Sequence, residues 1–317
     1  MKKTLVIILI SVILALSCGC GAKEAAPTAE RDGAVSIVTT VFPAYDFARE
    51  ISRGRCDITL LVPPGAETHS YEPTPQDILS IERCDLLICN GGESEAWLEQ
   101  VLAGREGDFR VLRMLDCVDA LEEEKKEGMQ DLHEEDDEAG GIEYDEHVWT
   151  SPVNAKSICL AICAELCAAD PSGAEYYSAN CTGYCAELDE LDAAFRDIVA
   201  RSDGNCLVFA DRFPVRYFVE EYGLDYFAAF PGCADDAEPS ARTVAFLIDR
   251  VRERNIPAVL YIEYSDRRMA DVVCEDTGCR ALLFHSCHTV SAEDLENGAT
   301  YLSLMWANTQ SVREALG

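Results

Sequence analysis

Apolar and polar positions alternate along this chain in two separate series. Short apolar runs at residues 36–41, 58–62, 84–89 and 110–115 are separated by stretches of helical periodicity, such as 43–52 and 76–82. That alternation predicts β-α units and a largely parallel sheet. The same arrangement returns at 206–210, 226–230, 258–262 and 280–284, with helices expected at 215–222, 241–255 and 268–277. The chain therefore reads as α/β, with two lobes, each a mainly parallel four-stranded sheet flanked by helices. Between the two series lies a helical region that opens with Ser151 as N-cap and Pro152 at the first helical position. After a break at Asp170 and Pro171, apolar positions Cys181, Tyr184, Cys185, Leu188, Leu191, Ala194, Phe195 and Ile198 recur at helical spacing. A helix of roughly 28 residues spans about 42 Å at 1.5 Å per residue, enough to link the lobes, and Gly183 within it costs about 1 kcal/mol. The expected division is a first lobe over 35–172, a linker helix over 173–202 and a second lobe over 203–317.

The first residues have a different pattern. Lys2 and Lys3 precede an uncharged apolar run over 5–16, which ends in Ser17-Cys18-Gly19-Cys20-Gly21. The run is much shorter than the roughly 20 residues of a membrane-spanning helix, so it reads as a lipoprotein signal peptide, 1–20. A small residue precedes both Cys18 and Cys20, and Gly19 favours Cys20 as the lipid anchor. Residues 21–34, polar and rich in Ala, Glu and Pro, suit a flexible tether between membrane and folded body.

Charge narrows the partners. With 26 basic and 58 acidic residues the net charge is −32, which excludes nucleic acid and anionic membrane surfaces as partners. Much of the acid lies in an expected mobile loop over 118–146, which also carries His133. Sixteen cysteines in an exported chain would ordinarily suggest a disulfide framework. Here Cys159, Cys163 and Cys167, and then Cys181 and Cys185, recur every four residues and read as small apolar core residues. No C-x-x-C pair occurs, which argues against a thiolate zinc cluster. Cys274, Cys279 and Cys233 are the candidates for pairing.

The chemistry lies in the five histidines. His69 sits in V-P-P-G-A-E-T-H-S-Y-E-P-T-P, a proline-stiffened loop at the C-terminal end of a predicted strand, where open α/β sheets place ligands. His147 occupies D-E-H-V-W-T-S-P-V-N, and His285 follows the apolar run at 281–284. Imidazole is the commonest ligand for borderline divalent metals, and a closed site takes three or four ligands from different elements. If the lobes face one another these three rings converge, and the fourth ligand comes from a carboxylate just after a second-lobe strand, Asp211 or Glu263. Cys287 and His288 are weaker candidates; Glu67 is either an orienting partner for a ligand or exposed; Trp149 and Tyr71 read as packing. A zinc hydrolase would need an open coordination position and a base such as Glu263, but no H-E-x-x-H, G-x-S-x-G or phosphate-cradling glycine loop is present.

From about residue 35 onward the chain resembles the solute-binding lipoproteins of zinc and manganese ABC transporters, the cluster A-I proteins. The likeness rests on V-T-T-V-F-P-A-Y-D-F at 38–47, the His69 loop, N-G-G-E-S-E-A-W at 90–97, H-V-W-T-S-P-V-N-A-K at 147–156, Glu263 and N-G-A-T-Y-L-S-L-M at 297–305. The resemblance implies two α/β lobes joined by one long helix, with a metal ion buried between them and no chemical turnover. It implies capture of the ion outside the cytoplasm and delivery to an ABC permease by a lipid-anchored, monomeric protein. His69 and His147 match ligand positions of the family. The chain departs from it twice: F-A-D-R-F-P-V-R-Y stands where the third ligand is expected, leaving Asp211 as the nearest donor beside Arg212, and L-F-H-S-C-H stands where a late aspartate is expected, making His285 its replacement. A set rich in imidazole favours Zn2+ over Mn2+, which prefers more oxygen. A manganese-binding member of the same family, or a lipid-anchored surface adhesin, is the alternative.

Overall fold

A computed structural model describes residues 33–66, 71–104, 109–130, 143–232 and 239–317. The signal, both candidate anchor cysteines, Glu67, His69, His133 and Cys233 lie outside the described residues. The first lobe runs β1 (Val35–Thr39), α1 (Phe42–Ser52), β2 (Cys56–Leu60), α2 (Pro75–Arg83), β3 (Leu86–Cys89), α3 (Trp97–Ala103) and β4 (Arg110–Arg113). Its strands are all parallel in the order β2-β1-β3-β4, with Ile37 registered against both Ile58 and Leu86. All four residues of β3 are buried, as expected of a central strand covered on both faces. Thr74 and Asp77 form a reciprocal capping box that starts α2 directly behind the His69 loop.

Two helices follow, α4 (Pro152–Ala169), capped by Ser151, and α5 (Ala174–Arg201). Among the described residues α4 is the one helix long and apolar enough to cross a membrane, yet its Ala155, Ile158, Cys159, Ile162 and Leu166 lie in the protein core. α5 buries Tyr177, Cys181, Tyr184, Cys185, Leu188, Leu191, Phe195 and Ile198, one stripe along its 28 residues. Those side chains belong to a single apolar cluster that includes Ile37 and Phe47 of the first lobe and Leu207, Phe209 and Leu260 of the second. Cys159, Cys163, Cys181 and Cys185 are buried in it as small apolar groups.

The second lobe contains β5 (Cys206–Phe213), α6 (Arg216–Tyr222), β6 (Asp225–Pro231), α7 (Ala241–Arg254), β7 (Ala258–Tyr261), α8 (Arg268–Thr277), β8 (Arg280–Leu283), α9 (Ala292–Glu296) and α10 (Tyr301–Leu316). Its parallel sheet has the order β6-β5-β7-β8. α10 closes the circuit back to the first lobe, because Asp46 on α1 accepts the Tyr301 backbone N–H at 2.8 Å and the Tyr301 ring meets Phe47 edge-on at 4.9 Å.

Of the acidic segment expected as a mobile loop, residues 131–142 lie outside the described residues. Its described flanks are tied down: Asp145 N–H donates to Leu121 O at 2.9 Å, and Glu123 N–H to Glu143 O at 2.9 Å. The Tyr217 hydroxyl joins the same knot, accepting from Leu121 N–H and donating to Asp145 O. Farther on, Lys126 pairs with Asp225 at 3.1 Å over the Tyr226 ring, and Gln130 N–H donates to Ala229 O at 2.8 Å on the outer strand β6.

Candidate metal centre

In each sheet the chain order reverses beside the first strand, and open α/β sheets bind ligands at the carboxyl ends of strands at such a reversal. In the first lobe that point lies between β1 and β3. Thr40, Val41 and Asn90, which follow those two strands, line a small cavity of about 10 Å³ with Val62, Tyr71, Ser94, Glu95, Trp97 and His288. In the second lobe the reversal lies between β5 and β7, and there the structure brings Asp211 and Glu263.

His147 is held from several sides. The Asn90 amide donates to Glu146 O at 2.8 Å, the Thr150 hydroxyl donates to His147 O at 2.8 Å, and the Trp149 indole N–H reaches Ser286 O at 2.9 Å in the second lobe. The imidazole is fully buried, and its Nδ1 faces Asp145 Oδ1 at 3.1 Å, the same oxygen that accepts the His147 backbone N–H. A carboxylate against Nδ1 fixes the proton there, so Nε2 carries the lone pair, the arrangement common to metal-binding histidines. Burial alone would lower the pKa of this ring, but Asp145, Glu146 and Glu123 raise it above the ordinary histidine value. Gly232 passes so close that a Cβ there would lie 2.9 Å from Phe213 O and 3.3 Å from His147 Cε1. Gly92, at φ +118°, likewise leaves room for Glu146, whose carboxylate accepts the Ser94 N–H at 3.0 Å.

At the second lobe, β5 and β6 slip register between Phe209 and Arg212, and Asp211 sits in that irregularity. Its Oδ2 accepts Ile262 N–H at 3.0 Å and its Oδ1 accepts Arg212 N–H at 2.8 Å, so the carboxylate braces two strand ends; burial raises its pKa. Glu263 accepts Ser286 N–H at 2.7 Å and the Ser286 hydroxyl at 2.6 Å, which fixes the 285–288 turn. His285 is close to Glu263, with Nδ1 3.6 Å from Oε1, and its backbone is clamped by both amide atoms of Asn308.

Three of the five sequence-predicted site residues, Asp211, Glu263 and His285, therefore form one second-lobe corner. His147 stands at the junction of the lobes, and His69 lies outside the described residues. Among the described residues the histidine ring that packs on His147 is His288, with centroids 5.1 Å apart, and not His285. Among the described residues no three His, Cys, Asp or Glu side chains surround one point. Asp145 and Gly232 were missed by sequence reasoning, and His288 was ranked below His285; the D-x-H spacing could have revealed Asp145.

The decisive comparison is with families of known proteins: the model for the zinc-uptake complex component A, periplasmic, matches residues 37–315. The chain belongs to this family. It is 28% identical over 320 residues to the high-affinity zinc uptake system protein ZnuA of Bacillus subtilis, covering 99% of this chain and 98% of that protein. It is 29% identical over 280 residues to the manganese-binding lipoprotein MntA of Halalkalibacterium halodurans, covering 88% and 87% respectively. Among solved structures it resembles the metal-dependent lipoprotein YcdH of Bacillus subtilis with a TM-score of 0.75 and 27% identity, over 89% of this chain and 99% of that one. The two-lobe, parallel-sheet architecture of this component of zinc uptake is thus the one that the hydrophobic pattern predicts. Membership also places the chain among transport components.

Proposed function

We propose that this protein captures Zn2+ outside the cytoplasm and delivers it to an ABC permease, performing no chemical reaction on the ion. The observation that carries the reading is His147: a fully buried imidazole at the lobe junction whose Nδ1 is fixed by Asp145, so that Nε2 is the donor nitrogen. His69 and His147 supply the first lobe's ligands, and the second lobe's contribution comes from the corner of Asp211, Glu263 and the 285–288 turn, which includes His285. The folded body comprises a first lobe over 35–172, a linker over 173–202 and a second lobe over 203–317, exported behind the signal 1–20 and held to the outer face of the membrane by a lipid on Cys20 or Cys18. It acts as a monomer, and release of the ion requires a permease that prefers the open form.

The test is calorimetric titration of the metal-stripped protein with Zn2+ and Mn2+. One tightly held zinc, with manganese far weaker, is the expected result, and no tight metal would overturn the reading. The similarity to a manganese-binding lipoprotein makes tight manganese the second outcome, and it would mean that oxygen donors dominate the site. Replacing Cys18 and Cys20 singly by Ser and following incorporation of a fatty-acid label identifies the anchor.

A further inference from the structure

The turn after β8 carries two histidines, and the tautomer of each ring separates them. The backbone N–H of Cys287 donates to His285 Nδ1 at 3.0 Å. A nitrogen that accepts a hydrogen bond is unprotonated, so in the neutral ring the proton is on Nε2 and His285 has no lone pair left for a metal. The carboxylate of Glu263, at 3.6 Å, is too far to change this assignment. Cys287 N–H on the ring and Asn308 on the backbone hold His285 as a brace inside the second lobe, while Glu263 holds the next residue, Ser286.

His288 is placed differently. Its backbone N–H is held by the Ser286 hydroxyl at 3.2 Å, and Ser286 is itself held by Glu263, so the turn aims the ring out of the second lobe. The ring packs on Trp149 at 5.2 Å and lies 5.1 Å from His147, at 87°. Two imidazoles on one tetrahedral zinc, with Zn–N near 2.0–2.1 Å, have centroids about 5 Å apart. The ring also lines the first-lobe cavity, where Asn90 Oδ1 and Glu95 Oε1 are buried without hydrogen-bond partners. Next to it, the Thr289 hydroxyl accepts Gly65 N–H at 3.0 Å, which joins this turn to the loop that continues to His69.

We propose that His288, rather than His285, is the second lobe's imidazole ligand, closing the zinc site against His147. This rests on the zinc-capture reading above and assigns the second lobe's imidazole within it. Glu263 and His285 then act as positioning residues, which set the turn that presents the ring.

The test uses the full chain, metal-stripped, titrated with zinc against a competing chelator and with Co2+, whose visible absorption reports the number and kind of ligands. His288→Ala and His288→Gln are expected to weaken zinc by more than about 100-fold, and His285→Gln by less, within the range of about 10- to 100-fold for orienting partners. His288→Cys should keep cobalt binding and add a thiolate charge-transfer band absent from the parent, whereas His285→Cys should add none. That band is a signature of direct ligation, which a folding defect cannot produce. Full zinc affinity in His288→Ala, or a new band only in His285→Cys, overturns the assignment while leaving zinc capture intact. A parent chain that binds no zinc would instead remove the capture reading itself.

Discussion

At the residue scale, the first-lobe half of the site is defined by close approach. Gly232 has no side chain where a Cβ would press on both Phe213 O and the His147 ring. Gly232→Ala is expected to displace that ring and weaken zinc by about tenfold with the fold retained, since a small misplacement of a ligand costs affinity in the range of orienting-partner mutants. Chelator competition measures it, and an unchanged affinity would show that the ring has slack. Asp145→Asn removes the carboxylate that fixes the Nδ1 proton of His147, and should cost about 10- to 100-fold in affinity by the same logic. Sequence and structure part company at this scale. His147 was legible because D-E-H-V-W-T-S-P joins a histidine to a helix start, and the capped α4 does begin there. The role of His288 was not legible, because L-F-H-S-C-H offers two imidazoles three residues apart, and only the hydrogen bond from Cys287 N–H to His285 distinguishes them.

Elements were easier to read than residues. The eight strands fall where the apolar runs predict, since central parallel strands are buried on both faces and declare themselves as continuous apolar segments. β5 extends to Phe213, three residues past its apolar run, because Asp211 bonds to the neighbouring strand end and carries the backbone onward. α10 was not anticipated, because its buried positions are interrupted by polar ones such as Asn308 and Thr309 that are buried as well. The linker stripe, by contrast, was legible except at two positions: Tyr177 is buried without having been expected, and Ala194 is only half-buried. Leu191→Ala, at a fully buried position of α5, should cost about 2–5 kcal/mol in chemical denaturation, the range for a buried leucine truncation. A loss below about 1 kcal/mol would mean that the two lobes repack around the gap.

For the whole molecule, protons and zinc compete for the same imidazole, and the stability each contributes runs in opposite directions with pH. Burial pushes Asp46 up to about 6, against the pull of Arg49 and the Tyr301 N–H, and His147 lies above its ordinary value. Both groups therefore hold a proton more tightly folded than unfolded. Stability contributed by the protonated forms is present below the unfolded pKa of each and is lost as pH rises, between about 4 and 6 for Asp46 and above about 6.5 for His147. The metal-free protein should thus melt at lower temperature as pH rises from 4 to 8, and the growing repulsion of a chain that reaches −32 acts in the same direction. Asp46→Asn separates the two effects, since an amide oxygen can still accept the Tyr301 N–H but carries no charge. It should flatten the slope between about pH 4 and 6 by up to about 3 kcal/mol and leave the rest, whereas an unchanged slope would show that Asp46 does not carry the trend. Zinc reverses the trend. The ion takes the Nε2 lone pair only from a deprotonated ring, so its affinity, and the rise in melting temperature at fixed free zinc, should increase with pH through the range where His147 loses its proton. Melting curves with and without zinc at a series of pH values should therefore diverge upward in pH, and curves that stay parallel would mean that no imidazole proton is displaced when the ion binds.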